Sequence, residues 1–198
     1  MDLNSSNVTH IVVDMLYDFI DGTLACKNAF SAIEKSICYI NNNPNQRVLY
    51  VCDCHPADHC SFTRNGGTWP PHCIAGTHGQ QIHDDFFTKV AEKSLHPGKA
   101  NIFTKGECST EEQYSGFDAV NSNGESIGEY LKRINSGNSD SIVVISGIAT
   151  EFCIMESSLD LLKAGNSLYI LTEGLAYVDY QGHMDTLKIL KEKGAKLL

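Results

Sequence analysis

Asp53-Cys54-His55 closes the apolar run Val48-Leu49-Tyr50-Val51, which reads as a β-strand. Side chains alternate along a strand. Asp53 and His55 therefore face one way, and Cys52 and Cys54 the other, provided extended backbone continues. A carboxylate and an imidazole on one face are two legs of a metal site. Five of the eight histidines fall between positions 55 and 83: His55, His59, His72, His78 and His83. His72 follows Trp69-Pro70-Pro71, a segment stiff enough to hold a ligand in place. A lone loop histidine is usually a solvated residue, but this density beside Asp-x-His favours a cation. A competing structural zinc would use Cys52, Cys54, Cys60 and Cys73, although Cys-x-Cys is tighter than the usual knuckle spacing.

The second focus is Cys153, in Ser146-Gly147-Ile148-Ala149-Thr150-Glu151-Phe152-Cys153. With Thr150 as N-cap, the thiol lies in a first helical turn, where unpaired N–H groups and the helix dipole lower its pKa. That environment makes a nucleophile. The alternative is a small buried filler packed on the sheet. Asp14 closes another apolar run, where an acid is costly unless paired or functional, or a cap. Asp18 is equally able to cap. Lys105 follows Phe103-Thr104 and, taken alone, is a solvated lysine.

These residues need a scaffold. Val8–Val13, Arg47–Asp53, Ile142–Ile145 and Ser167–Leu171 read as strands, with helical patterns over 29–40, from Gly147 to Ala164, and over 184–192. Asn41-Asn42-Asn43-Pro44-Asn45 stops the first helix and Gly165 the second. The alternation gives βαβ units: an open, mostly parallel sheet with helices on both faces. In such sheets ligands bind beyond the carboxyl ends of the strands. Asp14, Asp53, His55 and Cys153 all stand just past strand ends, so they are expected on one rim. An acid, a thiol, an amine and a metal there point to hydrolysis of an acyl or amide bond. Residues 54–80 and 104–124 lack periodicity, and their His, Trp and Pro content marks them as functional.

Composition narrows the class. In 198 residues, 15 Lys plus Arg against 24 Asp plus Glu leave a charge of −9, without the clustered cations that nucleic acid or anionic membranes require. No apolar run approaches the roughly 20 residues of a bilayer span. Met1 to His10 lacks the basic-then-apolar pattern of an export signal. The eight cysteines are then expected to be reduced, in a cytoplasmic chain folding as one domain over 1–198. The oligomeric state stays open, a homo-oligomer included.

Several segments together resemble one family in matching order over nearly the whole chain. They are Ile11-Val12-Val13-Asp14 through Asp18-Phe19; Asp53-Cys54-His55 with Asp58-His59; Gly67-Thr68-Trp69-Pro70-Pro71-His72-Cys73; Lys105-Gly106; Tyr114-Ser115-Gly116-Phe117; and Gly147-Ile148-Ala149-Thr150-Glu151-Phe152-Cys153. The chain resembles the nicotinamidase/pyrazinamidase branch of the isochorismatase-like cysteine hydrolases. The resemblance implies a Rossmann-like three-layer α/β fold and a metal-dependent amidohydrolase. Such an enzyme converts nicotinamide to nicotinate and ammonia in NAD salvage, through a cysteine thioester. It implies Asp14 as general base, Lys105 as the cation and Cys153 as nucleophile. Asp53, His55 and His72 would bind one divalent metal, zinc before iron or manganese, with His59 as a further ligand. Phe19, Trp69 and Tyr114 would hold the substrate. A cis peptide at Ile148-Ala149 would aim the N–H groups of Ala149 and Cys153 at an oxyanion. Leu16 stands where the family often has Gln, and Glu151 where Asp is common. The rivals are another amidohydrolase or an isochorismatase of the superfamily, a metal-binding interaction protein with an inert thiol, and a thiol redox protein, which would lack its Cys-x-x-Cys.

Overall fold

The computed structural model describes residues 3–135 and 141–198. In chain order the elements are β1 (Val8–Val13), α1 (Tyr17–Ile20), α2 (Ala29–Asn42), β2 (Arg47–Asp53), α3 (Asp85–Thr88), β3 (Ile102–Lys105) and α4 (Ile127–Ile134). There follow β4 (Ile142–Gly147), a π turn (Thr150–Ile154), α5 (Met155–Lys163), β5 (Ser167–Leu175), α6 (Tyr180–Glu192) and β6 (Lys196–Leu197). Among the described residues the strands form one six-stranded sheet of order β3-β2-β1-β4-β5-β6. Every pairing in it is parallel, so the sheet is wholly rather than mostly parallel.

Strands β1 and β4 are buried along their full length because helices cover both faces. On one face Val12, Val48 and Tyr50 pack with Ala32, Ile33, Ile37 and Ile40 of α2. On the other, Ile11, Val13, Leu49, Val143 and Ile145 pack with Leu131 of α4, Leu161 of α5 and Leu187 and Leu190 of α6. A buried polar link also ties α2 to the sheet. Ser36 donates to the Ser146 hydroxyl, which meets His10 Nε2 at 2.9 Å. Burial pushes the His10 imidazole down to about 3, so it is neutral there.

The sheet reverses direction of growth between the adjacent strands β1 and β4, which opens a crevice at their carboxyl ends. Asp14 follows β1 and the Ile148–Ile154 segment follows β4. Gly147 lets these ends come together: a Cβ there would lie 2.1 Å from the Val13 carbonyl oxygen, and its φ is +138°. No helix of the described residues is long and apolar enough to cross a membrane.

Because the core is two packed layers, Ile145→Ala should cost about 2–5 kcal/mol in urea unfolding. Ile189→Ala, on the outer face of α6 and 37% exposed, should cost no more than roughly 0.5 kcal/mol. Equal losses would contradict this layering.

Candidate active site

Four strand ends supply the polar groups. Asp14 sits in the left-handed region (φ +52°) directly after β1, and its Oδ1 accepts the Asp53 amide at 2.9 Å. Asp53 ends β2 and Lys105 ends β3, as direct cross-strand partners. The Lys105 side chain is fully buried, with Nζ 3.0 Å from Asp14 Oδ2 and in closer contact with Asp53 Oδ1. The same Nζ lies 3.5 Å from the Cys153 sulfur. Ligand atoms of Asp14, Asp53 and Cys153 all lie within 4.8 Å of one another. Burial, with repulsion from Asp53, pushes the Asp14 carboxyl up to about 6 despite Lys105 and the Cys153 thiol. Burial would also lower Lys105, but the two carboxylates overcome it and hold the ammonium well above its ordinary value.

The sequence expectation for the thiol needs correction. Thr150 is not the N-cap: it opens the π turn, and its hydroxyl donates to the Ala176 carbonyl at 3.0 Å. Cys153 still lies in that first turn, but its pKa is raised well above the ordinary value, not lowered. Burial dominates, with Asp14 and Asp53 adding to it, and Lys105 pulls the other way. Attack by this sulfur would therefore need a base beside it, and the Asp14 carboxylate lies within 4.8 Å of the thiol. The Ile148–Ala149 peptide is cis.

Next to this cluster, ligand atoms of Asp53, His55 and His72 also fall within 4.8 Å of one another, all buried. His55 Nδ1 donates to the Gly106 carbonyl at 2.9 Å and His72 Nδ1 to the Pro70 carbonyl at 2.8 Å. That leaves each Nε2 lone pair available, the arrangement of imidazoles that ligate metals. His55 Nε2 is buried without a hydrogen-bond partner. Asp53 also raises the His55 pKa against the effect of burial, so the position attracts positive charge. The donor set fits a divalent cation. Gly106 is required here: a Cβ would sit 2.5 Å from His55 Cε1.

His59 is not part of this set. Its Nε2 donates to the Glu111 carbonyl, and its Nδ1 accepts from the Ser61 hydroxyl and amide. The ring stacks on His55 at 4.1 Å and has no lone pair left for a metal. The alternative cysteine site does not assemble either: among the described residues, the metal-competent groups contain none of Cys52, Cys54, Cys60 and Cys73.

Both clusters face one cavity of about 460 Å³ including its mouth. Phe19, Trp69 and Tyr114 line it, with Asp53, His72, Ala149 and Cys153. Trp69 Nε1 donates to the Tyr114 hydroxyl at 3.1 Å, and the Trp69 ring meets Phe152 edge-on at 5.1 Å. Leu24, Cys26, Glu112, Phe152 and Val178 complete the wall, and sequence reasoning missed them all. Phe152 alone had a signal, as the neighbour of Cys153. Leu16 lies in the core, fully buried, and is not part of the cavity wall.

Two further carboxylates fix the walls. Asp18 accepts the Cys73 amide at 2.7 Å and so anchors the segment that carries Trp69 and His72 to α1, which carries Phe19. Glu151 accepts the Asp179 amide at 2.7 Å and the Val178 amide at 3.1 Å, holding Val178 against the turn of Cys153.

This geometry makes a prediction for zinc content after dialysis. His72→Ala should lose stoichiometric zinc, and Asp18→Ala should bind it roughly 10–100-fold more weakly. His59→Gln should keep one equivalent. Loss of zinc in the His59 variant with retention in the His72 variant would contradict the assignment.

Residues 8–198 match the isochorismatase domain model. The chain is 27% identical to a nicotinamidase/pyrazinamidase of Mycobacterium tuberculosis over 95% of this chain and 96% of that one. A pyrazinamidase of Pyrococcus horikoshii, solved in complex with zinc, superposes with a TM-score of 0.79 at 31% identity, over 97% and 98% of the two chains. PnC1 of L. infantum, solved in complex with nicotinate, gives a TM-score of 0.79 at 29% identity, over 98% and 92%. The fold, the order of elements and the match along nearly the full length place this chain in the isochorismatase family.

Proposed function

We propose that this enzyme is a nicotinamidase: it hydrolyses the carboxamide of nicotinamide to nicotinate and ammonia, the first step in returning the pyridine ring to NAD. One observation carries the reading: the thiol, carboxylate and ammonium of Cys153, Asp14 and Lys105 stand beside the Asp53, His55 and His72 donor set, around an aromatic cavity. The named activities and bound nicotinate of the relatives support it.

Held by Asp53, His55 and His72, a divalent cation would supply a Lewis acid able to anchor the pyridine nitrogen; zinc is favoured over iron or manganese because the Pyrococcus relative holds it. The protein's own groups do the rest. Phe19, Trp69 and Tyr114 orient the ring. Asp14 takes the Cys153 proton as the sulfur attacks the carboxamide carbon, and Lys105 stabilises the forming thiolate. The backbone N–H groups of Ala149 and Cys153 stabilise the oxyanion, each worth about 3 kcal/mol. Asp14 then returns the proton to the leaving ammonia. It next activates the water that cleaves the thioester and frees Cys153. An acid near pH 6 suits these transfers, since it accepts and gives protons readily close to neutrality.

Two outcomes test this. Cys153→Ala should abolish ammonia release from nicotinamide while zinc content stays at one equivalent; full activity in that variant would end the covalent mechanism. Asp14 must be ionised to accept the thiol proton, and its carboxyl is raised to about 6. Thus kcat/KM should fall about tenfold per pH unit below that value and level off above it. A profile flat across about pH 5 to 8 would exclude Asp14 as the base.

A further inference from the structure

The cavity wall holds two carboxylates, Asp53 and Glu112. Asp53 is ion-paired with the buried Lys105. Glu112 is not: among the described residues no lysine, arginine or histidine forms an ion pair with it. The backbone of the neighbouring Gln113 lowers its proton affinity slightly. Glu112 also lines a second, shallower groove with Gln113, Tyr114, Ser115 and Glu156. It therefore stands where the inner cavity and the outer groove share a wall, and the outer groove adds another acid and no cation.

Hydrolysis of a carboxamide changes the charge of the guest. A neutral amide enters, and an anionic carboxylate remains after ammonia leaves. Lys105, with a cation on Asp53, His55 and His72, attracts that carboxylate and would hold it. A negative charge on the same wall that is not locked in an ion pair acts on the product far more than on the neutral substrate.

Resting on the nicotinamidase reading, we propose that Glu112 sorts guests by charge: it biases the cavity and its outer groove toward the neutral amide and expels the carboxylate product. The side chain already feels this field. Burial raises its pKa and Asp53 raises it further, while His55 and Lys105 pull it down.

The test is calorimetric titration of zinc-loaded protein in a Cys153→Ala background, where no turnover occurs, with nicotinate and with nicotinamide. Glu112→Gln should lower the ratio of the nicotinate to the nicotinamide dissociation constant by about three- to tenfold. Glu112→Asp, which keeps the charge, should preserve the ratio. The gap between the Glu and Gln forms should narrow as salt rises. A ratio unchanged in the Gln variant, or shifted equally in the Gln and Asp variants, overturns the charge-sorting role. Failure of the unmodified enzyme to release ammonia from nicotinamide is a separate readout and defeats the hydrolase reading itself. Absence of binding by both ligands overturns the charge-sorting role and leaves the hydrolase reading to the ammonia assay.

Discussion

A buried ammonium organises this molecule. Lys105 ends the edge strand β3, yet its side chain is sealed from solvent, where an unpaired charge would cost several kcal/mol. Asp14 and Asp53, from the ends of two other strands, remove that cost. The pairing works in both directions. The carboxylates keep the lysine charged, and the lysine lets two acids lie side by side in the interior. Removing Lys105 would leave two buried carboxylates side by side with no ammonium between them. The parallel register of β2 and β3, which sets Asp53 opposite Lys105, is thus as much a part of the chemistry as the side chains themselves.

From this centre the site divides its work by proton affinity. Asp14 is pushed up toward neutrality, while Asp53, between Lys105 and His55, is held below the ordinary carboxylate range despite its burial. Environments that drive two carboxyls apart assign them different tasks. In the proposed reaction Asp14 would move protons and Asp53 would stay ionised to hold a cation. The thiol fits the same division. Burial holds its pKa well above the ordinary value, so in the proposed reaction Asp14 would have to take its proton for the sulfur to attack.

Four of the six described strands and the long helices were legible because their apolar periodicity is strong; the short β3 and β6 were not. The Val8–Val13 and Arg47–Asp53 strands match the expected boundaries, and the rim rule for open sheets brought Asp14, Asp53, His55 and Cys153 together correctly. Other features needed three dimensions. Helix α4 escaped notice although Ser126 and Glu129 form a capping box, a four-residue signature that the sequence displays. Strand β5 runs past Leu171 to Leu175, through Glu173, where polarity hides a strand. The dipole argument for a lowered thiol pKa failed because burial, invisible in a local motif, outweighs a helix end. The histidine cluster and the family resemblance point to His59 as a further ligand; only its hydrogen-bond partners reveal that both nitrogens are taken. Glu112 and Val178 come from loops without periodicity, and nothing local marks them as cavity wall.

The most direct test uses an aldehyde in place of the amide. Pyridine-3-carbaldehyde labelled with carbon-13 at the carbonyl accepts a thiolate but has no leaving group, so attack stops at a tetrahedral adduct. NMR of the labelled carbon bound to the zinc-loaded enzyme should show a tetrahedral signal that disappears in Cys153→Ala. A carbon that binds yet stays trigonal in the unmodified enzyme would contradict the convergence of sulfur, acid and ammonium on one aromatic guest.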